Sequence, residues 1–219
     1  MSTPIQYLSI YEFLLQSEGY LLLDVRAPKE YNKGHIPHAT SFPLFNDEER
    51  AVVGTAYKKE GKEKAIEIGL DIVGKKMGDF ARSLRTLTVE KKVFIHCWRG
   101  GMRSDALAWL INLLGYEVYV LQGGYKAYRQ KVLDDLATPL KLCVIGGETG
   151  SGKTEILYAL QNTGEQIIDL EKIANHKGSA FGGLGQAPQP KPEQFENNLH
   201  LALSRIDCNK TCWLEDESK

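Results

Sequence analysis

The chain is short of several things, and each shortage closes a class of explanation. Its four cysteines, Cys97, Cys143, Cys208 and Cys212, include no C-x-x-C pair, so neither a zinc site nor a disulfide framework fits their spacing. Cys208 and Cys212 read as two buried thiols rather than a resolving pair. Met1-Ser2-Thr3-Pro4 lacks the charged and apolar regions of a signal peptide, and no apolar run approaches the ~18 residues of a membrane span. A soluble, cytoplasmic protein is the expectation. Charge of one sign is missing too: 27 basic against 28 acidic residues leave a formal net charge of −1 over 219 residues. That balance gives no global signature of nucleic-acid binding, although a local basic patch does not depend on it. Lys58, Lys59, Lys62, Lys64, Lys75 and Lys76 gather, but glutamates interleave with the first four, which describes a solvated helix face.

What is present is a regular alternation of apolar strands and amphipathic helices. Ser9 caps a short helix that stops at Gly19, and Tyr20–Val25 is apolar without alternation, as in a parallel strand buried on both faces. The segment 26–39 holds a glycine and two prolines and reads as connection, with a short strand over Ser41–Leu44. Residues 46–80 read as mostly helical, capped by Asn46 or Asp47 and interrupted at Gly61, Gly69 and Gly74. Strand Lys92–His96, helix Ser104–Leu114, strand Tyr116–Leu121, a Gly123-Gly124 turn and helix Tyr125–Leu136 follow. The fold class expected is α/β, a parallel sheet with flanking helices and its reactive groups at the carboxyl ends of the strands.

Cys97 stands at one such end. The run Cys97-Trp98-Arg99-Gly100-Gly101-Met102-Arg103-Ser104 carries a thiol into a glycine-rich loop that opens a helix. Loop amides, the helix N-terminus and two guanidinium groups all favour the thiolate, the reactive form. Trp98, Arg99, Gly100, Gly101, Met102 and Arg103 are therefore the candidate anion loop, with Cys97 the nucleophile. Asp24 and Arg26 read as an ion pair pinning the strand end beneath the loop, and His35 as a packed, hydrogen-bonded residue. His96 precedes the nucleophile by one residue, so strand alternation turns it to the other face and makes it a poor base. The C-x5-R spacing of Cys97 and Arg103 also suits a cysteine phosphatase, which needs a general acid as well. Asp105 lies on the outgoing helix, on the wrong side for that work, and the spacing alone does not choose the substrate.

Ala137-Thr138-Pro139 is a seam, giving expected domains of 1–137 and 138–219. Leu140–Ile145, apolar throughout but for Lys141, reads as a buried strand and leads into Gly147-Glu148-Thr149-Gly150-Ser151-Gly152-Lys153-Thr154, which satisfies G-x-x-x-x-G-K-[ST] and is followed by a helical pattern. Its amides would cradle phosphate, Lys153 would neutralise charge, and Thr154 would reach a magnesium ion. Gln166–Leu170 is the next strand, 174–192 a long loop, Pro192–Arg205 a helix and Thr211–Glu217 an apolar strand ending in acids. Asp216 is the candidate magnesium carboxylate. Residues 140–219 hold about three strands where a P-loop domain uses around five, so the second domain is expected to be the N-terminal part of a longer one.

Three landmarks carry a resemblance. Leu22–Tyr31 with Gly34–Ala39, the Cys97 loop, and Leu121-Gln122-Gly123-Gly124-Tyr125-Lys126-Ala127-Tyr128 together look like a rhodanese domain. With the P-loop, Ile168–Glu171, Ala174–Ser179 and Trp213–Ser218 added, the chain resembles the tRNA 2-selenouridine synthase family, whose members continue well past Lys219. The resemblance implies a selenotransferase that replaces sulfur by selenium in wobble 2-thiouridine of tRNA, with Cys97 carrying the chalcogen. Selenophosphate would be the donor, geranyl diphosphate a second co-substrate, and tRNA and the selenium donor or its synthase the partners. A sulfurtransferase or relay protein with a regulatory P-loop, and a nucleotide-dependent kinase or binding module, are the competing readings. A truncated chain would fold in its first domain and have weak activity or none.

Overall fold

The computed structural model describes residues 3–148, 150–178 and 182–216. It divides into two compact units, Met1–Lys131 and Val132–Lys219. The division falls inside a helix, whereas the sequence places the seam after Ala137.

The first unit is a five-stranded, wholly parallel sheet. Its elements are β1 (Gln6–Leu8), α1 (Ile10–Ser17), β2 (Leu21–Asp24), α2 (Pro28–Lys33), β3 (Thr40–Ser41), α3 (Asp47–Lys59), α4 (Lys62–Gly74), α5 (Met77–Leu87), β4 (Lys92–His96), α6 (Met102–Leu113), β5 (Glu117–Leu121) and α7 (Gly124–Leu136), the last running into the second unit. The strand order is β1-β5-β4-β2-β3. β4 is central, and Val93, Phe94 and Ile95 are wholly buried, as a strand covered on both faces requires. Alternation divides its side chains. Val93, Ile95 and then Cys97 join one core with Leu107, Leu110 and Ile111 of α6 and Leu84 of α5. Phe94 turns the other way, edge-on to Phe13 of α1 and stacked on Tyr119.

Local chemistry explains several helix starts. Ser9 and Glu12 exchange hydrogen bonds, and Asn46 and Glu49 do the same at 2.8 Å each way, two capping boxes. Three expectations change. The connection after β2 contains α2, because Pro28 presets the first helical position, Glu30 accepts from the Ala27 amide at 3.0 Å and Gly34 ends the helix. Gly69 does not interrupt α4 but lies buried inside it. β1 was not anticipated: its three residues are too few to show a period, and it forms by pairing with β5.

The second unit holds β6 (Leu142–Ile145), α8 (Lys153–Asn162), β7 (Gln166–Ile168), α9 (Leu170–Ala174), α10 (Pro192–Leu203) and β8 (Cys212–Glu215). Its sheet is parallel in the order β6-β8-β7, so the last strand in sequence is the central one. β6 is an edge strand with Leu142 and Val144 half exposed, rather than the buried strand expected from its apolar run. Asp169 caps α9 instead of continuing β7, its carboxylate accepting from the Lys172 amide at 2.8 Å. Cys212 is buried but Cys208 is exposed, which corrects the reading of both as buried. Among the described residues, no helix is long and apolar enough to cross a membrane.

Candidate active-site thiol and phosphate loop

The loop after β4 is shaped by backbone meeting backbone. Gly100 sits at φ +64°, and a Cβ there would lie 2.6 Å from the Leu121 carbonyl. Gly124, at φ +59°, faces it: a Cβ would lie 2.7 Å from the Arg99 nitrogen and nearer still to the Cys97 carbonyl and Gly100 nitrogen. Only glycine allows such an approach at that dihedral. The contact is completed by the Tyr125 amide donating to the Cys97 carbonyl at 2.8 Å and the Lys126 amide to Trp98 at 2.9 Å. The β5–α7 turn thus clamps the thiol loop from outside.

Inside the loop the Cys97 thiol is 3% exposed. The Gly101 amide points to its sulfur at 3.4 Å, and the Ser104 hydroxyl lies 3.3 Å from it. Burial opposes the charge. The Ser104 hydroxyl, the Gly101 and Arg99 amides and the Arg103 guanidinium outweigh it, so the thiol titrates below its ordinary 9.0. Arg103 is not free in the cup: its Nη1 donates to Glu30 Oε2 at 2.7 Å and its Nη2 to Oε1 at 3.4 Å. Burial works to raise the Glu30 carboxyl, but Arg103, the Ala27 amide and Arg50 hold it below the usual range.

Under the loop lies the pinned strand end. Arg26 is 1% exposed and Asp24 fully buried. Arg26 Nη2 donates to Asp24 Oδ2 at 2.5 Å and to the Gly34 carbonyl at 2.7 Å, and its guanidinium carbon stands 3.7 Å over the Tyr125 ring. Burial would lift the Asp24 carboxyl, but His96 and Arg26 beside it hold it low. His96 is fully buried on the face opposite Cys97, 3.8 Å from Asp24, and burial depresses its imidazole below 6.5 against the pull of that carboxylate. His35 stacks on Tyr31 at 3.9 Å with its Nδ1 3.1 Å from the Tyr31 carbonyl.

In the second unit the β6–α8 loop has glycines at positive φ at Gly150 (+82°) and Gly152 (+84°), the latter at the N-cap of α8. Lys153 curls back over the loop, its Nζ donating to the Gly147 and Glu148 carbonyls at 2.9 and 3.3 Å. A strand, an amide-rich turn, a helix N-terminus and a lysine over them fit a bound phosphate. The Thr154 hydroxyl donates to Glu215 Oε2 at 3.0 Å, a carboxylate 2% exposed at the end of β8. Tyr158 of the same helix donates to Asp169 beyond β7, which pushes the phenol up to about 12.

A rhodanese-like family model matches residues 10–131, more than half of the chain. The chain belongs to the rhodanese-like family. Its remaining part, residues 140–219, matches the model described as the tRNA 2-selenouridine synthase AAA domain. Curated relatives named tRNA 2-selenouridine synthase include one from Nitrosomonas europaea, 38% identical over 90% of this chain and 53% of its own length. One from Shewanella sediminis is 39% identical over 100% of this chain and 59% of its own. The chain therefore spans just over half the length of these relatives. A solved N-terminal domain from Clostridium difficile 630 is 39% identical with a TM-score of 0.53, covering 58% of this chain and 99% of that domain. These matches bear out both the α/β fold and the resemblance drawn from the two loops.

The rhodanese-like unit brings Cys97, Gly100, Gly101 and Arg103 together. Arg99 joins only through its amide, its side chain being exposed, so one guanidinium rather than two acts on the sulfur. Trp98 is half-buried against the Tyr125 ring at 5.8 Å, and Met102 is half exposed at the start of α6. Two contributors were quoted in the sequence without a role: Ser104, one helical turn past Gly101, and Glu30, which anchors Arg103. Asp105 accepts from the Tyr7 hydroxyl at 3.2 Å, committed to a structural bond. In the second unit the acid on Thr154 is Glu215, one residue before the expected Asp216, whose amide instead continues the ladder to the Ile145 carbonyl at 2.9 Å. Thr149 of the phosphate loop, Ser179, and Glu217 and Ser218 lie outside the described residues.

Proposed function

We propose that this chain is the thiol- and phosphate-binding portion of a tRNA-modifying transferase that replaces sulfur by selenium in wobble 2-thiouridine. The observation that carries the reading is the Cys97 cup, which favours an anionic sulfur within a rhodanese-like unit followed by the selenouridine-synthase AAA domain. In this reading Cys97 is the nucleophile that carries the chalcogen. The Gly101 and Arg99 amides, the Ser104 hydroxyl and the Arg103 charge hold the anion while the chalcogen is exchanged. Trp98, Gly100 and Met102 shape the loop around it.

Selenophosphate as selenium donor, geranyl diphosphate as second co-substrate, and tRNA as acceptor belong to the same proposal, with the selenium donor's synthase as a partner. Gly147, Glu148, Thr149, Gly150, Ser151, Gly152, Lys153 and Thr154 would hold a phosphate or diphosphate. Glu215 with Thr154 would serve magnesium better than Asp216, because Glu215 already meets the threonine hydroxyl.

The test is nucleoside mass spectrometry of tRNA from cells supplied with the full-length protein carrying Cys97→Ser or Lys153→Ala. Loss of 2-selenouridine is expected in both. Its persistence with Cys97→Ser removes the nucleophile from the scheme, and its persistence with Lys153→Ala removes the phosphate loop.

A further inference from the structure

Arg99 belongs to the thiol loop, yet its side chain takes no part in holding the sulfur. Its amide serves Cys97, while its guanidinium is exposed. Standing two residues from Cys97, it keeps its Cα within about 7 Å of that of the thiol residue. Lys126 comes to the same spot from α7: its amide donates to the Trp98 carbonyl at 2.9 Å, and its side chain is exposed. Among the described residues neither side chain meets a carboxylate. The acids at this end of the sheet are already engaged, Asp24 with Arg26, Glu30 with Arg103, Glu12 with Ser9 and Asp105 with Tyr7. Glu12, Glu30 and Asp105 lie in the first turns of α1, α2 and α6, where a carboxylate complements the helix dipole. The first turn of α7 holds no acid and carries Lys126 instead, a cation at the unfavourable end of its helix.

We propose that Arg99 and Lys126 form a cationic rim that grips RNA backbone phosphates next to the base presented to Cys97. The burial of the thiol argues for this class of partner. At 3% exposure the sulfur cannot reach a base held in a stack, so the base must leave the stack and enter the cup. Unstacking is unfavourable, and contacts to the neighbouring phosphates offset it at the place where it is incurred. The locked loop backbone fixes both cations relative to the sulfur, so they set where the strand lies as well as how tightly it is held. A free oxyanion small enough to enter the cup would be met by the loop amides and Arg103. Exposed cations outside the cup instead suit a polyanion whose backbone stays outside while one base goes in. The inference rests on the proposed function in taking RNA as the acceptor, and it names two residues that position it.

The probe is a fluorescein-labelled RNA hairpin of the tRNA anticodon arm with 2-thiouridine at the wobble position. It is titrated with the full-length protein and read by polarisation at about 50 to 200 mM salt. Each phosphate contact on a single strand contributes about 0.7 to the slope of log affinity against log salt. Arg99→Ala and Lys126→Ala should each lower the slope by about that much. The loss of affinity across this salt range then shrinks about two- to threefold in each, and about sevenfold in the double variant. Arg99→Lys keeps the charge and should restore the slope. Lys58→Ala removes the same charge from the exposed face of α3 and should leave the slope unchanged. Each variant alters an exposed side chain, and Arg99→Gln or Lys126→Gln replaces an alanine variant that fails to fold. The hairpin should also protect Cys97 from iodoacetamide, and the double variant should lose most of that protection. An unchanged slope in Arg99→Ala or Lys126→Ala, an equal fall in Lys58→Ala, or no rescue by Arg99→Lys overturns the proposal. So does a double variant that keeps its RNA slope but loses protection of Cys97 by inorganic phosphate, which assigns the pair to a free oxyanion. No selenium donor enters this experiment, so its failure leaves the mass-spectrometric test standing. Persistence of 2-selenouridine with Cys97→Ser would in turn leave the salt slopes intact.

Discussion

Ser104→Ala isolates one contribution to the Cys97 thiolate. The hydroxyl lies 3.3 Å from the sulfur and 2.8 Å from the Gly101 carbonyl, and its single proton serves only one of them at a time. While sulfur is protonated the hydroxyl donates to the carbonyl; once sulfur ionises, turning to it exchanges a neutral hydrogen bond for a charge-assisted one. With about 1 kcal/mol for the former and about 2 for the latter, the net gain is about 1 kcal/mol. Since one pKa unit is about 1.4 kcal/mol, Ser104→Ala should raise the Cys97 pKa by rather less than one unit. The assay is the pH dependence of iodoacetamide alkylation at Cys97, resolved by peptide mapping because Cys208 is exposed and reacts as well. Below both pKa values the variant should react about three- to tenfold more slowly, with the two profiles converging at high pH. Superimposed profiles, or a shift to lower pH, would refute the reasoning. A mere loss of stability lowers the melting point without moving the titration.

Asp24→Asn leaves the buried Arg26 guanidinium without its counter-charge and should cost about 3–5 kcal/mol in denaturant unfolding; a loss under about 1 kcal/mol would show that the pair is not what pins the strand end. Gly124→Ala drives a methyl into the Cys97 loop backbone and should lower the melting point far more than Gly115→Ala, where φ is +85° but nothing lies within 4 Å; equal shifts would mean strain alone matters. The depressed His96 imidazole predicts a pH dependence. Its folded pKa lies below the ordinary 6.5, so the unfolded chain takes up the proton first, and stability full above pH 6.5 declines as pH falls below it. Measured between pH 7.5 and 5.5, that decline should flatten in His96→Phe, and an unchanged slope would assign it elsewhere.

The parts of the fold legible in the sequence are those written in local chemistry. Ser9 with Glu12 and Asn46 with Glu49 announce helix starts within four residues, and the unbroken apolar run of β4 announces burial on both faces. β1 was illegible because three residues carry no period and their pairing partner is more than a hundred positions away. α2 was hidden because Pro28 and Gly34 read as breakers, although at the first position and just past the end of a helix they are its punctuation. Residues 142–145 looked like a buried strand because apolar composition does not say whether a neighbour covers the outer face.

The site divides along the same line. The Cys97 and Gly147–Thr154 loops were legible because each is a contiguous run whose backbone does the work. What closes them comes from afar: Glu30 holds Arg103 across 73 positions and Glu215 meets Thr154 across 61. Arg99 and Arg103 look equivalent in sequence, yet among the described residues only Arg103 has such a partner, and that bond keeps its guanidinium beside the sulfur. Glu30 draws the Arg103 charge partly away from the cup, and in doing so fixes the side chain where it can serve the thiolate. An arginine left to solvent would strengthen it less. The acid that draws charge from the anion site is therefore the residue that orients it, a role that spacing along the chain does not encode.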